Sequence, residues 1–185
     1  MKAILLLQIL ISLSLFSTLS AETCREVVRD SSGRIFQTID RQKQAGGTVH
    51  STTRDASGRI IGTATTLPNS GGSSQTTYRD ASGRLTGSAS TQTTTGGSSR
   101  TTYRDASGRL AGSANTRKFT KNGSQTQYRD ASGCLTGSQS TSGSRSGSFA
   151  GTQRDATGRL TGSSTASGKC QGVVKVPIPQ MATTK

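Results

Sequence analysis

Beyond Ala21 the apolar residues come singly or in pairs, set among Ser, Thr, Gly and Gln, with no recurrence at helical spacing. Thr76-Thr77-Tyr78-Arg79 is β-branched and aromatic, a composition suited to a pleated strand. Arg84-Leu85-Thr86-Gly87-Ser88-Ala89-Ser90 alternates, which predicts Leu85, Gly87 and Ala89 on one face and Arg84, Thr86, Ser88 and Ser90 on the other. Between them, Asp80-Ala81-Ser82-Gly83 supplies a turn. The acid accepts from a backbone N–H two residues on, and the glycine tolerates positive φ. A type I turn closed by a left-handed glycine is a common hairpin connection. The Gly96-Gly97-Ser98-Ser99 stretch then breaks the return strand.

The same unit recurs six times at a constant 25 residues. The turn acids are Asp30, Asp55, Asp80, Asp105, Asp130 and Asp155, and the turn glycines are Gly33, Gly58, Gly83, Gly108, Gly133 and Gly158. A fixed period of this length marks a repeat architecture with one supersecondary unit per copy. The expectation is an all-β protein of six 25-residue β-hairpin repeats, closed into a ring, barrel or flower-like array. Thr, Ser and Gly are weak helix formers, and no apolar stripe at helical period exists outside the N-terminus. Low hydrophobicity with high charge is also the signature of disorder. The unvarying phase and the turn chemistry at each step argue against it.

The ends differ from the middle. Residues 1–21 read as a signal peptide: Lys2 is followed by an apolar stretch from Ala3 to Phe16 and by small residues up to Ala21. That stretch is shorter than the ~20 residues of a spanning helix. Cys24 does not directly follow the small residue at the expected cleavage site, so lipidation is not indicated. Residues 22–168 form the repeat domain. Residues 169–185, with Val173, Val174, Val176 and Ile178 around Pro177 and Pro179, read as a capping segment and tail. The chain is thus expected to be secreted, periplasmic or at the cell surface, with no transmembrane segment once the signal is removed.

Three cysteines in an exported chain imply one disulfide and one remaining thiol. Cys24 and Cys170 lie just outside the first and last repeats, so their pairing would bring the two ends of the array together. Cys134, standing where the other repeats carry Arg, would then be free or joined to another chain. Cys134 with Cys170 is the alternative pairing.

Apolar residues make up 29% of the chain against roughly 45–50% in ordinary globular domains, which excludes a thick core. The net charge is +14, and +13 without Lys2. Much of it is built into the repeat, where Arg54 and Arg59, Arg79 and Arg84, Arg104 and Arg109, and Arg154 and Arg159 flank their aspartates. These eight are the candidate ligand-binding residues, and an anionic envelope polymer or glycan is the expected partner. Specific nucleic-acid binding is not indicated, since there is no zinc-finger or helix-turn-helix spacing and aromatics are sparse. No catalytic residue, metal site or cofactor is expected. His50 has no nearby nucleophile, no Gly-x-Ser-x-Gly sits on a strand-to-helix turn, and one acid per loop is too few for calcium. The expected role is a non-enzymatic binding or structural module. Two alternatives are an ice- or surface-water-binding protein using Thr63, Thr65, Ser88 and Ser90, and a disordered basic spacer.

The Asp80-Ala81-Ser82-Gly83-Arg84-Leu85 core resembles the YD repeat of the RHS family. It recurs from Asp55 to Ile60, Asp105 to Leu110 and Asp155 to Leu160, and with Cys134 in place of Arg from Asp130 to Leu135. The resemblance covers roughly Arg29 to Gly162. Here Arg79 separates Tyr78 from Asp80, whereas in the family Tyr directly precedes Asp, and the period is longer. What the resemblance implies is β-hairpin repeats and a cell-surface role. The small size and lack of a terminal toxin-sized domain do not extend it to toxin function.

Overall fold

The computed structural model describes residues 21–94, 96–119, 122–144 and 147–170. The expected signal segment, apart from Ala21, and the tail from Gln171 to Lys185 lie outside the described residues. Six hairpins follow one another. They are β1 (Glu22–Asp30) with β2 (Ile35–Lys43), β3 (Val49–Asp55) with β4 (Ile60–Pro68), β5 (Ser74–Asp80) with β6 (Leu85–Thr93), β7 (Ser99–Asp105) with β8 (Leu110–Lys118), β9 (Gly123–Asp130) with β10 (Leu135–Gly143), and β11 (Phe149–Asp155) with β12 (Leu160–Gly168). Each strand pairs antiparallel with its chain neighbours, and β12 pairs back onto β1, with Cys24 opposite Gly168. The result is a closed twelve-stranded barrel, which leaves no free sheet edge.

Each turn follows the chemistry predicted for it. Gly83 N–H donates to the Asp80 carbonyl at 3.0 Å, and Asp80 N–H donates to the Arg84 carbonyl at 3.0 Å. Asp80 Oδ1 accepts from the Ser82 and Arg84 backbone N–H groups, both at 2.9 Å, and from Ser82 Oγ at 2.7 Å. Gly83 has φ 84°, a conformation costly for any residue with a Cβ. The same backbone pair closes the turns at Asp30, Asp55, Asp105, Asp130 and Asp155.

The return strand corrects one expectation. Leu85 does not share the inner face with Gly87 and Ala89. Tyr78 is opposite Gly87 but Arg79 is opposite Leu85, so Thr86 is an extra residue in a β-bulge. Tyr78 and Ala89 are buried, whereas Leu85 is 45% exposed, on the Arg79 side of the sheet. All six hairpins are displaced in this way, leaving Ile35, Ile60, Leu85, Leu110, Leu135 and Leu160 exposed at the turn end. Past the bulge the strands approach closely. A Cβ on Gly112 would lie 2.5 Å from the Arg129 carbonyl oxygen, and one on Gly137 would lie 2.6 Å from that of Arg154.

The core is correspondingly thin and lines the inside of the barrel. Ala64, Tyr78, Ala89, Tyr103 and Ala114 form one buried cluster, with Tyr128 packed against it. Cys24, Val49, Ala166 and Cys170 form another, with Phe149 beside it. Inward threonines hydrogen-bond across strand pairs, Thr66 to Thr76 at 2.8 Å, Thr91 to Thr101 at 2.9 Å and Thr116 to Thr126 at 2.8 Å, so their hydroxyls are satisfied away from solvent. The Cys24–Cys170 disulfide spans the seam where the last strand meets the first. Cys134 is free and exposed.

The outer wall carries the alternate residues, such as Thr63 and Thr65 beside buried Ala64, and Ser88 and Ser90 beside buried Ala89. Ser, Thr, Gln and Arg at these positions make a polar wall, not the tall outward apolar band of a lipid-embedded barrel.

Candidate functional site

Antiparallel order places every within-repeat turn at one end of the barrel and every connector at the other. The repeat arginines therefore converge on a single rim. Arg29, Arg54, Arg79, Arg104, Arg129 and Arg154 each donate Nη1–H to the carbonyl of their own turn glycine, at 2.8 to 3.1 Å. These six brace the turns as well as charging the rim. The second set, Arg34, Arg59, Arg84, Arg109 and Arg159, makes no side-chain hydrogen bond or close ion pair with the described residues. Of the eight sequence-predicted ligand residues, Arg54, Arg79, Arg104 and Arg154 belong to the bracing set, and Arg59, Arg84, Arg109 and Arg159 to the uncommitted one.

Two of the turn aspartates are held in their ionised form by their own turns. The Asp80 carboxyl is held below its ordinary value of 3.8, first by the Ser82 hydroxyl and then by the Arg84 backbone N–H. Asp155 is held down in the same way, first by the Thr157 hydroxyl. Eleven arginines against six aspartates leave the rim with a surplus of five positive charges. Next to the guanidinium groups stands the ring of exposed Leu and Ile side chains. Cys134 interrupts the second set of arginines and lies exposed on this rim.

His50 is exposed on the outer wall, 3.3 Å from the Thr65 hydroxyl. Among the described residues its one side-chain hydrogen-bond partner is that hydroxyl. Arg25 and Asp40 pair on the same wall, with Nε 2.6 Å from Oδ1, and this hydrogen bond is the first cause of the lowered Asp40 carboxyl value. Among the described residues no group of three or more His, Cys, Asp and Glu is placed to hold a metal ion.

A second polar centre lies inside the barrel, and sequence reasoning missed it. Arg41 Nη1 is 2.8 Å from Glu26 Oε2, and both residues are buried. Lys43 Nζ pairs with Glu22 Oε2 at 3.1 Å nearer the connector end. Twelve strands leave more interior than the side chains fill. One cavity of about 1040 Å³ runs beside Glu26, Tyr103 and Tyr128, and a smaller one of about 310 Å³ is bounded by Arg41, Lys43 and Tyr78. Tyr128 donates its hydroxyl to Gln139 Oε1 at 2.8 Å. Burial raises the phenol values of Tyr78, Tyr103 and Tyr128, so all three stay protonated. The sequence signal was parity: Glu22 and Glu26 alternate in step with Cys24 and Val28, and Arg41 and Lys43 with Ile39, which puts charges on the inward face.

Comparison with protein-family models, with curated proteins and with solved structures finds no match for the chain.

Proposed function

We propose that the chain is an exported, non-enzymatic binding module that holds an extended anionic polymer or glycan against the turn end of its barrel. The observation that carries this reading is the convergence of eleven arginines on one rim, five of them uncommitted. Identical weak contacts at fixed spacing reinforce one another on a repetitive partner, which favours avidity over a single tight pocket. The exposed Leu and Ile beside them add apolar area to the same face. The hydroxyl rows of the outer wall support the ice-binding alternative less well, because a closed barrel curves them away from a common plane. The folded barrel gives no support to a disordered spacer.

The test is binding of the disulfide-intact chain to immobilised heparin and to neutral dextran over a salt series. Affinity for heparin is expected to fall steadily with salt and to drop sharply in the Arg59→Gln, Arg84→Gln, Arg109→Gln, Arg159→Gln variant, with dextran unbound throughout. Equal binding to dextran, or an unchanged quadruple variant, refutes the reading.

A further inference from the structure

We propose that the smaller interior cavity is a binding site for a small hydroxylated oxyanion, a sugar acid carrying a carboxylate or a phosphate. It is separate from the rim. Three observations on the wall converge on that chemistry.

First, the charged groups are sorted. Arg41 and Lys43 border the 310 Å³ cavity, while their carboxylate partners Glu22 and Glu26 do not. No Asp or Glu is among the bordering residues. The cavity thus meets the positive ends of two ion pairs, and an anion there would be attracted without facing a carboxylate.

Second, one hydroxyl in this wall is unspent. Tyr78 is 6% exposed, and its hydroxyl has no hydrogen-bond partner among the described residues. Arg41 Nη1, by contrast, is partnered: it lies 2.8 Å from Glu26 Oε2, in a contact whose angle falls outside hydrogen-bond geometry. A buried polar group without a partner costs free energy, and native structures rarely keep one without a use. The phenol can donate as well as accept, and Arg41 and Lys43 can only donate, so an acceptor serves all three and the two cations favour a charged one.

Third, the remaining wall suits a sugar rather than a bare ion. Ser51, Ser74 and Thr93 offer hydroxyls, while Ala64 and the Tyr78 ring offer apolar surface. Cavities of about 300 Å³ and upwards are the usual size for small-molecule sites. Gly47, Asn69 and Gly72 of two connectors also border the cavity, placing its approach at the end opposite the arginine rim.

The experiment is calorimetric titration of the disulfide-intact chain with glucuronate, glucose 6-phosphate, glucose and inorganic phosphate. Glucuronate or glucose 6-phosphate is expected to bind more tightly than both glucose and phosphate, and their ranking identifies the preferred oxyanion. Tyr78→Phe removes only an unpartnered hydroxyl. It is expected to fold and to weaken the acidic sugar by about tenfold or more. Arg84→Gln, on the rim, is expected to leave that binding unchanged while weakening heparin. If neither acidic sugar exceeds glucose, or if Tyr78→Phe binds it as well as the parent does, the site is only hydrated and the proposal fails. If Arg84→Gln abolishes acidic-sugar binding, the anion sits on the rim and the proposal fails equally. Loss of heparin binding alone would bear on the rim and not on this cavity.

Discussion

Leu85 faces Arg79 across the ladder, one residue out of step with the partnership of Tyr78 and Gly87. Repeated as Arg29 with Ile35, Arg54 with Ile60, Arg104 with Leu110, Arg129 with Leu135 and Arg154 with Leu160, this displacement fixes the character of the rim. The bulge moves an apolar side chain outward in every hairpin and sets it beside a guanidinium group. In five of the six hairpins a glycine follows the bulge, at Gly62, Gly87, Gly112, Gly137 and Gly162, and Gln37 stands at that place in the first.

The first prediction concerns that glycine. Gly112→Ala places a Cβ 2.5 Å from the Arg129 carbonyl oxygen, and backbone cannot yield as a flexible side chain would. A loss of about 1–3 kcal/mol is expected, the usual range for overpacking. Gly46→Ala is the control, because nothing lies within 4 Å of its added Cβ and its φ is ordinary. Urea denaturation of the two variants should separate them clearly, with Gly46→Ala at or slightly above the parent.

Much of this architecture was legible in the chain. The turns were, because each Asp-x-x-Gly carries its own local hydrogen bonds. The joining of Cys24 to Cys170 was, because these cysteines bracket the array, and their bond brought the ends together. The face of Leu85 was not. Alternation assumes one residue per ladder step, and the extra residue at Thr86 is invisible to it. A barrel rather than a flower was also beyond reach, since it depends on β2 pairing with β3, β4 with β5 and so on through connectors of varied sequence. The inward placing of Glu26 and Arg41 was not legible either, because charged residues on a strand ordinarily take the solvent face and only their parity with Val28 and Ile39 says otherwise.

The turn acids predict a pH dependence. The Asp80 and Asp155 carboxyls sit below 3.8 in the folded chain, chiefly through hydroxyl and backbone hydrogen bonds. A depressed folded value means that the native state binds the proton less readily than the unfolded chain does. The stabilisation is therefore full above the ordinary carboxylate range and is lost as pH falls through the lowered folded value. Thermal melts should show Tm flat near neutrality and falling in acid. The Asp80→Asn, Asp155→Asn variant keeps an acceptor oxygen in each turn, and its Tm should fall less steeply over the same acid window. An unaltered acid slope would show that the loss arises elsewhere.

The disulfide closes 146 residues of chain at the seam between β1 and β12. Loop entropy alone assigns such a closure about 4–5 kcal/mol. Cys24→Ala, Cys170→Ala should melt well below the parent and should lose amide-exchange protection first along β1 and β12, whose pairing the bond spans. Uniform loss of protection around the barrel would instead mean that the seam is no weaker than the other ladders.

Cys134 is the single exposed thiol and occupies the one rim position where an uncommitted arginine is replaced. Ellman's reagent should titrate one thiol per folded chain, and more only after reduction. Cys134→Arg restores the repeat and should strengthen heparin binding and steepen its salt dependence, with Tm nearly unchanged. Weaker heparin binding in this variant would separate the rim from polyanion recognition.

The interior ion pair offers the sharpest contrast between single and double substitutions. Arg41 and Glu26 are both buried, so removing either charge strands the other inside the barrel. Glu26→Gln and Arg41→Met should each cost about 3–5 kcal/mol, the usual penalty for orphaning a buried charge. Removing both restores neutrality, and Glu26→Gln, Arg41→Met is expected to be markedly more stable than the sum of the two losses implies. Chemical denaturation of the four proteins gives the coupling directly. Strict additivity would mean that the carboxylate and guanidinium do not depend on one another in the folded barrel. Strong coupling with acidic-sugar binding lost in the double variant would show Arg41 serving two partners, Glu26 on one side and the bound anion on the other.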